Sequence, residues 1–189
     1  MNTINRRRML PFAAMVALMF PGVVLQTLAQ SARDRLVGTW MLASIYVEGP
    51  DGSRFDPFGA NPTGILIIDG SGRISVQFID SDLPKFASND RLEGTSEENK
   101  AVQHGILCYF GTYSVSDADH SLNIHIENSS FPNWKGTDQK RFLTLTEDEM
   151  KWINPTAATG GPGFTGHTVW KRVKLSATQD ATNAPSILT

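Results

Sequence analysis

His125 and Glu127 lie two residues apart in "SLNIHIENS" (121–129), a run whose alternation reads as a strand, so both side chains share one face. An imidazole that titrates near neutrality can serve as acid, base, ligand or hydrogen-bond donor. With a phenol from Tyr109 or Tyr113 it would form the acid/base pair that an isomerase or cyclase needs to act on a small hydrophobic substrate. A solvated strand face accounts for His125 and Glu127 equally well. No metal is expected, because zinc needs three or four converging ligands. His104 falls on a helix, His120 in a turn and His167 at the start of the last strand. The chain has no G-x-S-x-G elbow, no G-x-G-x-x-G after a strand and no phosphate-binding loop. Cys108, the one cysteine, has no disulfide partner within the chain and reads as an inert buried thiol. No cofactor is expected.

A second stretch, "FPNWKGTDQKRFLTL" (131–145), calls for a different chemistry. Pro132, Asn133 and Gly136 suit a turn. A turn does not explain an indole inside it, since exposing Trp134 forgoes about 1.5–3 kcal/mol of apolar burial. Arg141 heads a strand with Leu143 and Leu145 on its side. A guanidinium in line with an apolar face is either paired with an acid or open to an anionic group. Together these residues read as the rim of a cavity, with Trp134 as apolar flap and Arg141 as polar anchor.

The elements that must hold these side chains are short. "TWMLASIYVE" (39–48), "GILIID" (64–69), "RISVQFID" (73–80), "YFGTYSV" (109–115), "SLNIHIENS" (121–129), "RFLTLT" (141–146), "MKWIN" (150–154) and "HTVWKRV" (167–173) read as eight strands. Tight turns join most of them, with Gly70-Ser71-Gly72 marking a hairpin. One helix is expected over 95–109, with Thr95 or Ser96 as N-cap and Glu98 near the capping-box position. Ala101, Val102, Ile106 and Leu107 would form its apolar stripe, interrupted by Gly105. Eight antiparallel strands with one short helix predict an all-β closed barrel, because closure removes exposed sheet edges. A sandwich is the competing architecture. "TGGPGFTG" (159–166) reads as a loop and a candidate lid over one barrel end.

The two ends read differently. A basic head (Arg6, Arg7, Arg8), an uncharged run from Met9 to Leu25 and a small-residue exit predict a cleaved secretory signal over residues 1–31. The run is short for a spanning helix and contains Pro11, Pro21 and Gly22, so no stable membrane span is expected after cleavage. The arginine pair also fits twin-arginine export. The leader carries three of the 17 Lys and Arg and none of the 19 acids, so the mature chain has a net charge near −5. That balance argues against nucleic acid as a partner. Residues 32–173 then form one domain, and 174–189 read as a disordered tail.

In their order, "LVGTWMLASIYVE", "GILIIDGSGRISVQF", "KFASNDRLEGTSEENKAV", "YFGTYSV" and "FPNWKGTDQKRFLTL" resemble the bacterial and fungal lipocalin-like domain family. The resemblance implies a small calycin-type β-barrel with a central cavity. It places Trp40 at the closed end of the interior, with Arg172 stacked on it. If Trp40 points inward, strict alternation carries Ser44 and Tyr46 inward too and makes the interior mixed, as a cavity for an amphipathic molecule requires. The candidate ligand-contacting residues are then Ser44, Tyr46, Gln77, Tyr109, Tyr113, His125, Trp134 and Arg141. The opposite face of the first strand (Met41, Ala43, Ile45, Val47) would be an outer apolar patch, which leaves oligomerisation open. The leading expectation is a periplasmic or secreted barrel that binds a small hydrophobic or amphipathic molecule without chemistry of its own. The enzyme described above is the alternative.

Overall fold

A computed structural model describes residues 31–174 of the chain. The expected leader, apart from Ser31, and the expected tail, apart from Lys174, lie outside the described residues. Nine antiparallel strands follow one another: β1 (Gly38–Glu48), β2 (Arg54–Phe55), β3 (Pro62–Ile68), β4 (Arg73–Asp80), β5 (Ile106–Ser116), β6 (Ser121–Ser129), β7 (Thr137–Leu145), β8 (Glu149–Asn154) and β9 (Thr165–Arg172). Pairing of β1 with both β3 and β9 closes eight of them into a barrel, while two-residue β2 adds to the far end of β1. Each of the eight strands expected from the sequence is present.

Among the described residues two α-helices accompany the strands. α1 (Ala32–Leu36) is a single turn capped by the Ser31 hydroxyl, which accepts from the Asp34 amide. It was not expected. α2 (Ser96–Gly105) opens with the expected capping box, in which Thr95 and Glu98 satisfy each other's backbone amides. It ends earlier than the sequence suggests. Ile106 is extended, so Ile106 and Leu107 begin β5 and belong to no helical stripe. Gly105 is the last helical residue, and a Cβ there would meet Leu83 Cδ2 at 2.7 Å.

One barrel end is sealed. Trp40 is fully buried, and its Nε1 donates to the Leu36 carbonyl at 2.9 Å. The Arg172 guanidinium lies 4.0 Å from the Trp40 ring centroid and donates to the carbonyls of Val37 and Arg35, tying the last strand to α1. This is the stacking that the family resemblance implies.

Alternation along β1 does not survive to its far end. The pairing with β9 skips Ala43, passing from Leu42↔Trp170 to Ser44↔Val169. A bulge of this kind moves every later side chain to the opposite face. Trp40 and Leu42 point inward before it; Ile45 and Val47 do so after it. Ser44 is exposed, and Tyr46 stacks on His167 at 4.6 Å with Arg54 over it, outside the barrel. The expected inward placement of Ser44 and Tyr46 is therefore corrected. So is the outer apolar row, of which Met41, 47% exposed, and Ala43 remain on the surface while Ile45 and Val47 turn inward.

Candidate functional site

The open end of the barrel holds an inner cavity of about 50 Å³ beneath a mouth of about 440 Å³. The two share Pro57, Phe58, Leu107, Ala158 and Thr159, so they adjoin, and the two together are called the funnel. Five aromatic rings, those of Phe58, Phe78, Tyr109, Trp134 and Trp152, stand in its inner wall. Phe58 stacks on Phe78 at 5.4 Å, and Phe78 lies 5.3 Å from Trp170, which meets Trp152 at 5.5 Å. These rings take up much of the interior, and so the inner void is small.

Trp134 reaches the cavity from a 3-10 turn, Pro132–Trp134, that follows β6. Proline at the start fixes the first backbone angle. Gly136 closes the turn at φ +75°, a conformation that glycine adopts without strain, and its amide donates to the Ile126 carbonyl at 2.7 Å. The Thr137 hydroxyl donates to the Trp134 carbonyl at 2.8 Å. So anchored, the indole packs edge-on against Tyr109 at 5.4 Å and Phe131 at 6.0 Å.

Arg141 lies beneath it, its guanidinium carbon 5.8 Å from the Trp134 ring centroid. It is only 2% exposed. Nη1 donates to the Lys140 carbonyl and to Asn154 Oδ1, both at 3.0 Å, and Nη2 donates to Gln139 Oε1 at 2.5 Å. All three acceptors are neutral. Among the described residues no carboxylate forms an ion pair with Arg141. A guanidinium so deeply desolvated ordinarily demands a counterion or a compensating ligand. Among the described residues Arg141 is also the one charged residue in the wall of the inner cavity.

The eight candidate residues divide by face. Tyr109, Trp134 and Arg141 converge on the cavity. Tyr113 points inward but lies deeper toward the sealed end, where its hydroxyl donates to the Asp69 carbonyl. Gln77 is on the outer face of β4, paired across from Cys108. His125 is outside as well, its side chain 50% exposed and its Nδ1 2.8 Å from Asp138 Oδ1. Glu127 is held by Arg73, which keeps its carboxyl below the usual carboxylate range. Gln77 and His125 thus face solvent because their strands keep the apolar set inward. His125 is on the wrong side of the wall to act with Tyr109 or Tyr113.

Two further groups bear on what the cavity can do. Burial pushes the Tyr109 phenol above its ordinary value, with the Arg141 charge pulling in the other direction, so Tyr109 stays protonated at neutral pH. Burial likewise raises the Cys108 thiol, which sits on β5 rather than on a helix. Among the described residues no cluster of three His, Cys, Asp or Glu could hold a metal, and no helix is long and apolar enough to cross a membrane.

Several cavity residues escaped the sequence reading. Phe58 sits between Pro57 and Gly59, and the reasoning applied to Trp134 in its own turn would have found it. Trp152 and Asn154 share a face on β8 with buried Met150, a legible alternation. The loop expected as a lid contributes Thr159, with Ala157 and Ala158 just before it.

A family model described as a lipocalin-like domain matches residues 37–173, nearly all of the barrel. The chain belongs to the lipocalin-like domain family. This lipocalin-like protein is also similar to the 4'-hydroxy-3'-methoxypropiophenone carrier protein of Aspergillus oryzae. The two are 32% identical over 95 residues, which cover 46% of this chain and 86% of that protein.

Proposed function

We propose that this lipocalin-like protein carries a small amphipathic molecule in the funnel, with Trp134 as apolar flap and Arg141 as polar anchor. The observation that carries this reading is Arg141. A buried cation without an acidic partner, set in an aromatic wall, is costly as mere scaffold and useful as a recognition group. The inner void alone has room for a few waters. A ligand therefore extends into the mouth, and Trp134 is placed to shift as it enters. The name of the Aspergillus relative supports a carrier role, and the molecule in that name combines an aromatic ring with a phenol, a methoxy group and a ketone.

Export to the periplasm or the medium is part of the proposal and rests on the leader read over residues 1–31. N-terminal sequencing of the protein recovered outside the cytoplasm should begin near residue 32. Recovery of the uncut chain from the cytoplasm alone would overturn this part.

Titration with 4'-hydroxy-3'-methoxypropiophenone, followed by tryptophan fluorescence and by native mass spectrometry, tests the site. Trp134→Ala should weaken binding about tenfold, the equivalent of about 1.4 kcal/mol. His125→Ala, outside the wall, should leave it within about 0.5 kcal/mol. The reverse pattern would remove the cavity from consideration.

A further inference from the structure

The segment 155–164, which joins β8 to β9, enters both walls of the funnel. Ala157, Ala158 and Thr159 line the inner cavity, and the last two also line the mouth. Its far end is a turn that the sequence dictates. In Gly161-Pro162-Gly163-Phe164 the proline takes the second position and Gly163 the third, at φ +82°, and the Phe164 amide donates to the Gly161 carbonyl at 3.3 Å. The turn delivers the Phe164 ring to a seat that two glycines leave open. A Cβ on Gly160 would lie 2.5 Å from Phe164 Cγ, and one on Gly49 would lie 3.1 Å from its Cε1. From that seat the ring meets Phe55 edge-on, with centroids 6.2 Å apart. Phe55 stands in the wall of the mouth, whereas Phe164 lines neither space.

The two sides of this contact are held unequally. Phe55 belongs to β2, which is pinned to β1: Arg54 donates from Nε to Glu48 Oε2 at 2.9 Å and lies 4.7 Å from the Tyr46 ring centroid. Residues 157–164 have no such tie. Among the described residues their hydrogen bonds are Ala157 N–H to the Phe164 carbonyl and Phe164 N–H to the Gly161 carbonyl, both at 3.3 Å and both internal to the segment. The Trp134 turn, by contrast, is fastened at 2.7 Å and 2.8 Å. Gly160 and Gly161, both at φ +97°, supply backbone freedom for a hinge. A ligand too large for the inner void displaces the part of the wall that is held least, and that part is this segment. Resting on the carrier reading above, we infer that residues 155–164 form a strap that gates the funnel, with Phe164, seated against Phe55, as its latch. An aromatic pair biases such an opening equilibrium by about two- to tenfold. That favours the closed strap yet lets it open without other input. It also gives two-residue β2 a role, because β2 carries the catch.

The experiment compares the full chain with its Phe164→Ala, Phe55→Ala and doubly substituted variants. Acrylamide, a small neutral quencher, reports access to the tryptophans of the funnel. Stopped-flow tryptophan fluorescence gives the entry and exit rates of 4'-hydroxy-3'-methoxypropiophenone. Phe164→Ala should increase acrylamide quenching and raise both rates about two- to tenfold. Its affinity should stay level, because the latch closes over the empty and the filled funnel alike. The double variant should be no faster than the faster single one, since either substitution alone undoes the contact. Quenching and rates equal to those of the unmodified chain overturn the strap. So does a faster exit with unchanged entry, which is what loss of plain packing around the ligand produces. If the compound does not bind the unmodified chain, the carrier reading for that compound falls, and acrylamide alone decides the strap. Greater quenching in Phe164→Ala then supports it, and equal quenching overturns it.

Discussion

Arg141→Met should strip the cavity of its ligand while leaving the barrel as stable as before, or more so. The stability side sets two effects of opposite sign against each other. Burying a guanidinium without an opposite charge costs several kcal/mol, and methionine removes that cost while filling much of the same volume. Against it, Gln139 Oε1 and the Lys140 carbonyl lose their donor, at about 1–3 kcal/mol each if they stay dry. Asn154 Oδ1 keeps the Thr156 amide and is not orphaned. The two sides are close in size, so the net change is small and the melting temperature stays level or rises. Affinity behaves differently, because a charge-assisted hydrogen bond of about 1.5–3 kcal/mol has no replacement. Binding should fall about ten- to hundredfold. A parallel drop in melting temperature and binding would mean that Arg141 holds β7 against β8 through Asn154 and has no recognition role. A level melting temperature with lost binding is what an anchor produces.

How far the sequence disclosed this site depends on whether each inference was local. Trp134 and Arg141 were reached by asking what it costs to leave an indole in a turn or a guanidinium on an apolar face. Those costs do not depend on which strands pair, and the structure brings both residues to the cavity. Strand positions were legible for a similar reason, since Gly-rich turns and alternation are short-range signals. What failed was propagation along a strand. The inward position of Trp40 was extended by strict alternation to Ser44 and Tyr46, and one skipped residue at Ala43 reversed both. No glycine or proline marks that bulge, so composition gave no warning. The same assumption of a mixed interior drew in Gln77 and His125, although Ile74, Val76 and Phe78 on β4 and Leu122, Ile124 and Ile126 on β6 are the buried sets. Hydrophobic patterning within each strand was the better guide. The mixed character of the cavity comes instead from β7 and β8, where Arg141 and Asn154 stand among apolar neighbours.

Gly111→Ala should have the largest effect on folding, although the residue touches no ligand. β5 and β6 pair from Ser116↔Ser121 to Tyr109↔Ser129, and the register skips Glu127 opposite the Phe110–Gly111 step. The bulge presses the β6 backbone onto Gly111. A Cβ there would lie 1.9 Å from the His125 carbonyl oxygen and 3.1 Å from the Glu127 nitrogen. The obstruction is backbone, so no side-chain rotation relieves it, and the methyl group enters only if the two strands separate. Separation breaks ladder hydrogen bonds and lifts Tyr113 and Ile124 out of their packing, a loss of at least about 4 kcal/mol. That is most of the stability of an ordinary domain. The damage also reaches the site, because Tyr109 lies two residues earlier on β5 and the Trp134 turn hangs from the Ile126 carbonyl at the same point of β6. Gly136→Ala is the matching control: nothing lies within 4 Å of a Cβ there, and only its positive φ opposes the change. Urea titration of both variants should find Gly111→Ala largely unfolded in buffer and Gly136→Ala destabilised by about 1 kcal/mol. A wild-type midpoint for Gly111→Ala would mean that β5 and β6 do not meet in this register, and the placement of Trp134 over Tyr109 would fall with it.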